Sequence, residues 1–271
     1  MSDSLFSKLP LAEVLRPRTL ADVVGQPDVT AAMAARQGGS ASLVLWGPPG
    51  TGKTTLARIL GEDAGQRFVA MSAVFDGVAD LRRVFAAAEK DFQVGQQTLL
   101  FIDEIHRFNK AQQDALLPVL EKGMIRLVGA TTENPSFSLN GALLSRLQVL
   151  VLHPLDTDAL LEILSRAEIQ LGTRLPLNEN ARNALALMAD GDGRYLLNLV
   201  ESLHEFALPP EPLLNSDELA VHLARRPLNY DRAGDEHYNL ISALHKSLRA
   251  SDCDAALYWL ARMVLAGEDQ R

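Results

Sequence analysis

Residues 47–54 read Gly47-Pro48-Pro49-Gly50-Thr51-Gly52-Lys53-Thr54, a G-x-x-x-x-G-K-T spacing. Before them Leu43, Val44, Leu45 and Trp46 form a short apolar run, which reads as a buried strand. After them Leu56, Ile59, Leu60 and Ala64 recur at helical spacing. A glycine loop between a strand and a helix turns backbone N–H groups inward around phosphate oxygens, and the helix N-terminus adds partial positive charge. Lys53 is then placed to reach β- and γ-phosphates, and Thr54 to put its hydroxyl on Mg²⁺. A bare turn with a surface lysine has the same composition but lacks the flanking strand and helix. We take the segment through Thr55 as an ATP-binding loop.

Outward from this loop, apolar runs alternate with helical periods. Strands are expected at 68–71, 99–102, 125–130 and 149–152, and helices near 28–36, 81–88 and 111–120. Such alternation implies a parallel sheet with helices on both faces. It stops near Pro154. Helical periods follow at 160–169, 184–188, 196–203 and 219–223, with Ser216 as the expected N-cap of the last. Pro209, Pro210 and Pro212 read as a rigid loop, and two more amphipathic helices are expected at 238–248 and 255–264. The expected division is an α/β domain at 1–154, a helical lid at 155–226 and the start of a further helical domain at 227–271.

The second chemical signal is Thr98-Leu99-Leu100-Phe101-Ile102-Asp103-Glu104. Two carboxylates closing an apolar strand are costly unless they serve something. Beside a phosphate loop, Asp103 can hold Mg²⁺ through its water shell. Glu104 can polarise the attacking water as general base. Alone, the pair would read equally well as a helix cap and a solvated carboxylate. Thr131 and Thr132 end the next strand, where a polar group would lie beside a γ-phosphate. Arg146 follows a short helical stretch at 138–145 and could reach a neighbouring subunit's nucleotide. Arg194, in Gly191-Asp192-Gly193-Arg194, could close over the nucleotide from the lid or pair with Asp192.

The bulk numbers agree with an ordinary globular chain. It has 271 residues, 47% hydrophobic and 22% charged, enough for about two domains. One cysteine, Cys253, excludes an internal disulfide. The first twenty residues hold no apolar run and no stretch is long enough to span a bilayer, so a cytoplasmic protein without a signal peptide is expected. A net charge of −8 argues against coating nucleic acid with the whole surface and leaves room only for a local basic patch.

The order of glycine loop, carboxylate strand, Thr-Thr, Arg146, helical lid and Arg194 resembles the AAA+ ATPases. Pro10-Leu-Ala-Glu-Val-Leu-Arg16-Pro-Arg-Thr-Leu-Ala-Asp-Val-Val-Gly25-Gln26 is similar to the N-terminal box of clamp loaders and Holliday-junction motors. Narrower still are His106-Arg-Phe-Asn109-Lys-Ala-Gln-Gln113-Asp and Gly129-Ala-Thr-Thr-Glu-Asn134-Pro-Ser-Phe137, together with the segments from Ser242 and Ala255. They resemble the replication-associated recombination protein A family, the bacterial relative of the Werner helicase-interacting protein.

The resemblance implies a sheet of order 5-1-4-3-2 and an oligomeric, tetrameric ATPase associated with the nucleoid. It implies action at stalled replication forks, stimulation by DNA ends and junctions of single-stranded with duplex DNA, and contact with single-stranded-DNA-binding protein. It makes Val23 and Val24 adenine contacts, Thr132 the strand sensor, Arg146 the arginine finger in trans and Arg194 the lid sensor. The chain departs from the pattern at Tyr195, where a second arginine is expected, and it stops at Arg271 inside what should be a longer helical region. Three other readings share the motifs: a clamp-loader subunit, a RuvB-like branch-migration motor, and a nucleotide-switched scaffold with little turnover. Residues 227–271 do not read as the winged domain of such a motor, and a pure switch needs neither Glu104 nor Arg146.

Overall fold

The computed structural model describes residues 9–35, 41–206, 211–224, 244, 247–248 and 253–265. Its centre is a parallel five-stranded sheet of order β2-β3-β4-β1-β5, the order the family resemblance implies. The strands are β1 (Ser42–Trp46), β2 (Arg67–Ser72), β3 (Thr98–Asp103), β4 (Ile125–Thr131) and β5 (Leu147–Val151).

Burial explains both the strands that the sequence displayed and the one it blurred. Interior strands covered on both faces need apolar residues at every position. β4 is buried throughout, and β3 is buried up to Asp103. The edge strand β5 instead buries Leu147 and Leu150 while Gln148, Val149 and Val151 are exposed. It therefore begins earlier than the apolar run from Val149, in register with Ser42 of β1.

Successive side chains on a strand point to opposite faces. Leu43, Leu45, Leu99, Phe101, Val128 and Ala130 face one way and pack with α2 (Pro27–Ala34) and α3 (Lys53–Asp63). Val44, Leu100, Ile102 and Leu127 face the other way and pack with α4 (Val78–Gln93) and α5 (Lys110–Glu121).

The stretch expected as one helix at 138–145 is two short ones, α6 (Pro135–Ser138) and α7 (Gly141–Leu144). Asn134 and Asn140 each accept a hydrogen bond from the backbone that follows, so the second asparagine restarts the turn.

The helical bundle comprises α8 (Thr157–Leu171), α9 (Glu179–Met188), α10 (Gly193–Glu205) and α11 (Ser216–Ala224). Leu160, Leu164, Leu185, Leu196, Val200 and Leu219 form its core, joined by Leu11 from α1 (Leu11–Val14). Glu168 is held there by a two-pronged Arg182 fork at 2.7 and 2.9 Å. Ser216 does not cap α11: Asn215 does, accepting from the Asp217 and Glu218 N–H groups at 3.0 Å each, and Ser216 is the first helical residue.

The chain divides into two compact units, Met1–Leu223 and Ala224–Arg271. In the second, a helix spans Cys253–Leu265, close to the expected 255–264, with Tyr258 and Trp259 edge to face and Cys253 exposed. The helix expected at 238–248 falls almost wholly outside the described residues, as do Pro209, Pro210 and the expected junction at 226–227. No helix among the described residues is long and apolar enough to cross a membrane.

Candidate functional site

The carboxyl ends of β1 and β3 open on one cavity, which is where a parallel α/β sheet places a ligand. The loop after β1 is pinned at its first residue. Gly47 donates to Thr131 O at 3.1 Å, and a Cβ there would lie 2.4 Å from the Leu152 carbonyl. Gly50 and Gly52 have φ of +67° and +101°, which glycine adopts without strain. Thr51 Oγ1 ties the loop back to Pro48 O at 2.9 Å.

Helix α3 then starts at Lys53 with no side-chain cap. Helices α5, α8, α9 and α10 are capped by Asn109, Asp156, Asn178 and Asp192. The free N–H groups at the start of α3 are the donors an anion requires.

Lys53 is buried and donates to Gly47 O at 2.8 Å and Pro48 O at 2.7 Å. Burial pushes its ammonium below its ordinary value, and the carboxylates of Glu104, Asp103 and Asp192 pull it back up. Lys53, Thr54, Thr55, Asp103 and Glu104 share the cavity wall with Val23, Val24 and Arg194. Val23 and Val24 stand with Ala12, Leu15 and Ile163, an apolar wall suited to the flat face of a base.

Glu104 follows β3 with φ of +51°; among the described residues only Asp190 shares a positive φ without being glycine. Its backbone N–H bonds Asp103 Oδ1 at 3.1 Å, and its Oε2 accepts from Thr132 Oγ1 at 3.4 Å. Thr132 is thus brought to Glu104. Thr131 turns inward and is fully buried.

Arg146 lies elsewhere. It is exposed, pairs with Glu121 at 2.5 Å and donates to Ala142 O at 2.8 Å, and it does not line this cavity. Asp192 does not pair with Arg194: it caps α10 through Tyr195 N at 2.8 Å and lies against Gly50. Gly193 N donates to Gly50 O at 3.3 Å, so the lid rests directly on the loop.

Several wall residues escaped the sequence reading. Arg16 lines the cavity and donates to Thr55 Oγ1 at 3.2 Å. Arg166 reaches the same wall from α8 and donates to Asp22 O at 2.6 Å. Only the Leu-Arg-Pro of the N-terminal box signalled the first, and nothing local signalled the second.

Residues 43–155 match the model of the ATPase family associated with various cellular activities, and residues 171–249 match the AAA C-terminal domain. Residues 19–63 also match magnesium chelatase, subunit ChlI. The chain is 47% identical to replication-associated recombination protein A of Coxiella burnetii, covering 96% of this chain and 62% of that protein. It is 43% identical to the protein of the same name from Escherichia coli K12, covering 99% and 62%. The chain belongs to the replication-associated recombination protein A family of AAA+ ATPases.

Two further similar proteins are a eukaryotic ATPase and a solved motor structure. ATPase WRNIP1 of Dictyostelium discoideum is 41% identical, covering 95% of this chain and 32% of that protein. The Thermotoga maritima RuvB Holliday junction branch migration motor superposes with a TM-score of 0.66 over 87% of this chain and 80% of that one. At 23% identity it speaks for the AAA+ fold alone. The chain spans 62% of the length of the two bacterial proteins named above.

Proposed function

We propose that the chain hydrolyses ATP at subunit interfaces, as part of a DNA-dependent protein acting at stalled or damaged replication forks. One observation carries the ATPase reading. The buried Lys53 and the uncapped start of α3 face a strand-end carboxylate pair whose second member, Glu104, is tied to Thr132 just past the end of β4. The loop N–H groups and Lys53 would take the phosphates, Lys53 releasing the Gly47 and Pro48 carbonyls to do so. Thr54 and, through water, Asp103 fit Mg²⁺, which supplies countercharge to the phosphates. Val23 and Val24 would receive the adenine.

Glu104 would take the proton of the attacking water, with Thr132 reading the γ-phosphate. Arg194 would close from the lid. Arg146, outside its own chain's cavity, would serve a neighbour's; a finger of this kind contributes roughly 10³–10⁵ in rate, about 4–7 kcal/mol.

The names of the relatives support work in replication-associated recombination. On that basis we assign forked DNA, DNA ends and junctions as effectors, single-stranded-DNA-binding protein as a partner and the nucleoid as the place of action. We also assign a homotetramer, built from domains at 1–154 and 155–226 with the region from 227 onward contributing to assembly. ATP turnover measured with and without forked DNA tests the reading. Turnover that rises with forked DNA and stops in Glu104→Gln is expected. A chain that binds ATP without turning over, with or without DNA, would make it a nucleotide-switched scaffold instead.

A further inference from the structure

His106 lies three positions beyond the strand-end aspartate, in the 3-10 turn Ile105–Arg107, and its side chain is 7% exposed. It packs between the ends of β3 and β4. Nδ1 lies 2.9 Å from Thr131 Oγ1 and 3.2 Å from Glu104 Oε2. Nε2 faces Glu133 Oε1 at 3.7 Å.

The surroundings decide where the ring proton sits. Thr131 Oγ1 donates to Glu133 O at 3.1 Å and accepts from Glu133 N at 3.0 Å. Its only proton is therefore turned away from the ring, and what faces Nδ1 is a lone pair. The Glu104 carboxylate on the other side is an acceptor as well. Two acceptors meeting one ring nitrogen require the proton on Nδ1, shared between them.

We propose that His106 is a positioning residue for the catalytic carboxylate: its Nδ1–H and the Thr132 hydroxyl together fix Glu104 Oε2, leaving Oε1 to polarise water. The idea rests on the reading of Glu104 as the base. Its physical need is visible in the backbone. A glutamate at φ +51° is held in a sparsely populated conformation, and such a residue persists only where its surroundings over-determine it. The His106 ring adds to the restraint that the Asp103 and Thr132 contacts supply. It also links the base to Thr131, next to the residue proposed to read the γ-phosphate, so a shift at the end of β4 reaches Glu104 through a rigid ring.

The test is steady-state ATP turnover and equilibrium ATP affinity of the full chain in His106→Ala, His106→Asn, Glu104→Gln and the Glu104→Gln/His106→Ala pair. A general base contributes roughly 10²–10⁴ in rate, and His106→Ala should forfeit about tenfold or more of it in kcat. ATP affinity and KM should stay within about twofold, because no phosphate contact is lost. His106→Asn places an amide N–H near the former Nδ1 and should recover most of the rate. In the Glu104→Gln background, His106→Ala should cost nothing further. Thermal melting of each variant accompanies the assay, and should His106→Ala unfold, His106→Leu, which fills the space without an N–H, takes its place in the same kcat and KM comparison. Unchanged kcat in a folded His106→Ala, with Glu104→Gln inactive, overturns the proposal alone. So does a folded His106→Asn no faster than His106→Ala. Full turnover in Glu104→Gln would instead remove the base reading itself.

Discussion

Lys53 and Arg146 are the two cations on which the proposed chemistry most depends, and the chain builds them in opposite ways. Lys53 emerges from the first turn of α3, is buried, and is gripped by two carbonyls of its own loop. Arg146 follows α7, stands in solvent, and is held by an ion pair to Glu121, the Ala142 carbonyl and the Ser145 hydroxyl. A buried cation whose bonds can be exchanged for phosphate serves the cavity it sits in. An exposed one, held only by surface contacts that can be exchanged, is free to serve a site completed by another molecule. Exposed pairs of this kind contribute only about 0–1 kcal/mol, so Glu121 orients Arg146 without trapping it.

Arg146→Ala should produce the largest loss, roughly 10³–10⁵ in kcat, with ATP affinity nearly unchanged. Mixing it with Lys53→Ala subunits should restore activity, because hybrid interfaces pair an intact loop with an intact Arg146. If subunits exchange and activity stays flat across mixing ratios, Arg146 serves its own chain and the contrast collapses.

Lys53→Ala should act on binding instead. Removing one partner of a buried charge interaction costs about 3–5 kcal/mol, on the order of a thousandfold in ATP affinity. Titration with a fluorescent ATP analogue measures it. An affinity unchanged from the parent chain would show that the phosphates go elsewhere.

The contrast also marks what a sequence can display. The loop, the strand before it and Asp103-Glu104 were legible because they are local: a glycine spacing, an apolar run, a polar pair at its end. The sheet interior was legible for the same reason, since β3 and β4 are buried nearly throughout. What escaped depends on partners far along the chain. Glu121 meets Arg146, Arg16 meets Thr55, and Asp192 meets Gly50, none of which any local period announces. Edge strand β5 was misplaced because only Leu147 and Leu150 of its five residues are buried and the polar Gln148 interrupts its apolar run, and the α11 cap by one residue because Asn215 and Ser216 are both good caps. His106 stood within the quoted motif, but its role needs the end of β4 beside it.

The lid contact gives a third, smaller effect. A Cβ built on Gly50 lies 1.7 Å from Asp192 Oδ1, while one on Gly123 meets nothing within 4 Å; their φ values are +67° and +68°. Gly50→Ala and Gly123→Ala therefore carry the same backbone strain of roughly 1–2 kcal/mol, but only the first displaces the lid. Gly50→Ala should lose about 1 kcal/mol more, the worth of an N-cap, and melt about 2–4 °C lower than Gly123→Ala. Equal melting temperatures would mean the lid gives way at no cost.

The smallest effect isolates charge from shape. Asp192 accepts from Tyr195 N at 2.8 Å, and its carboxylate pulls on Lys53 from the lid side of the loop. Asparagine caps a helix as well as aspartate does, so Asp192→Asn should keep α10 and its stability within about 0.5 kcal/mol. It removes a negative charge from the place where phosphates must enter. ATP should then bind two- to fivefold more tightly, roughly 0.4–1 kcal/mol, the scale of a partly exposed charge interaction. The gain should shrink with added salt, since screening weakens the repulsion being relieved. Asn215→Asp is the mirror control. Asn215 caps α11 through Asp217 N and Glu218 N, away from the cavity wall, so the added charge should leave ATP affinity unchanged. Weaker ATP binding in Asp192→Asn, with melting unaltered, would show that this carboxylate helps the loop receive phosphate. The lid would then belong with Lys53 as part of the cradle rather than as a charge the nucleotide must overcome.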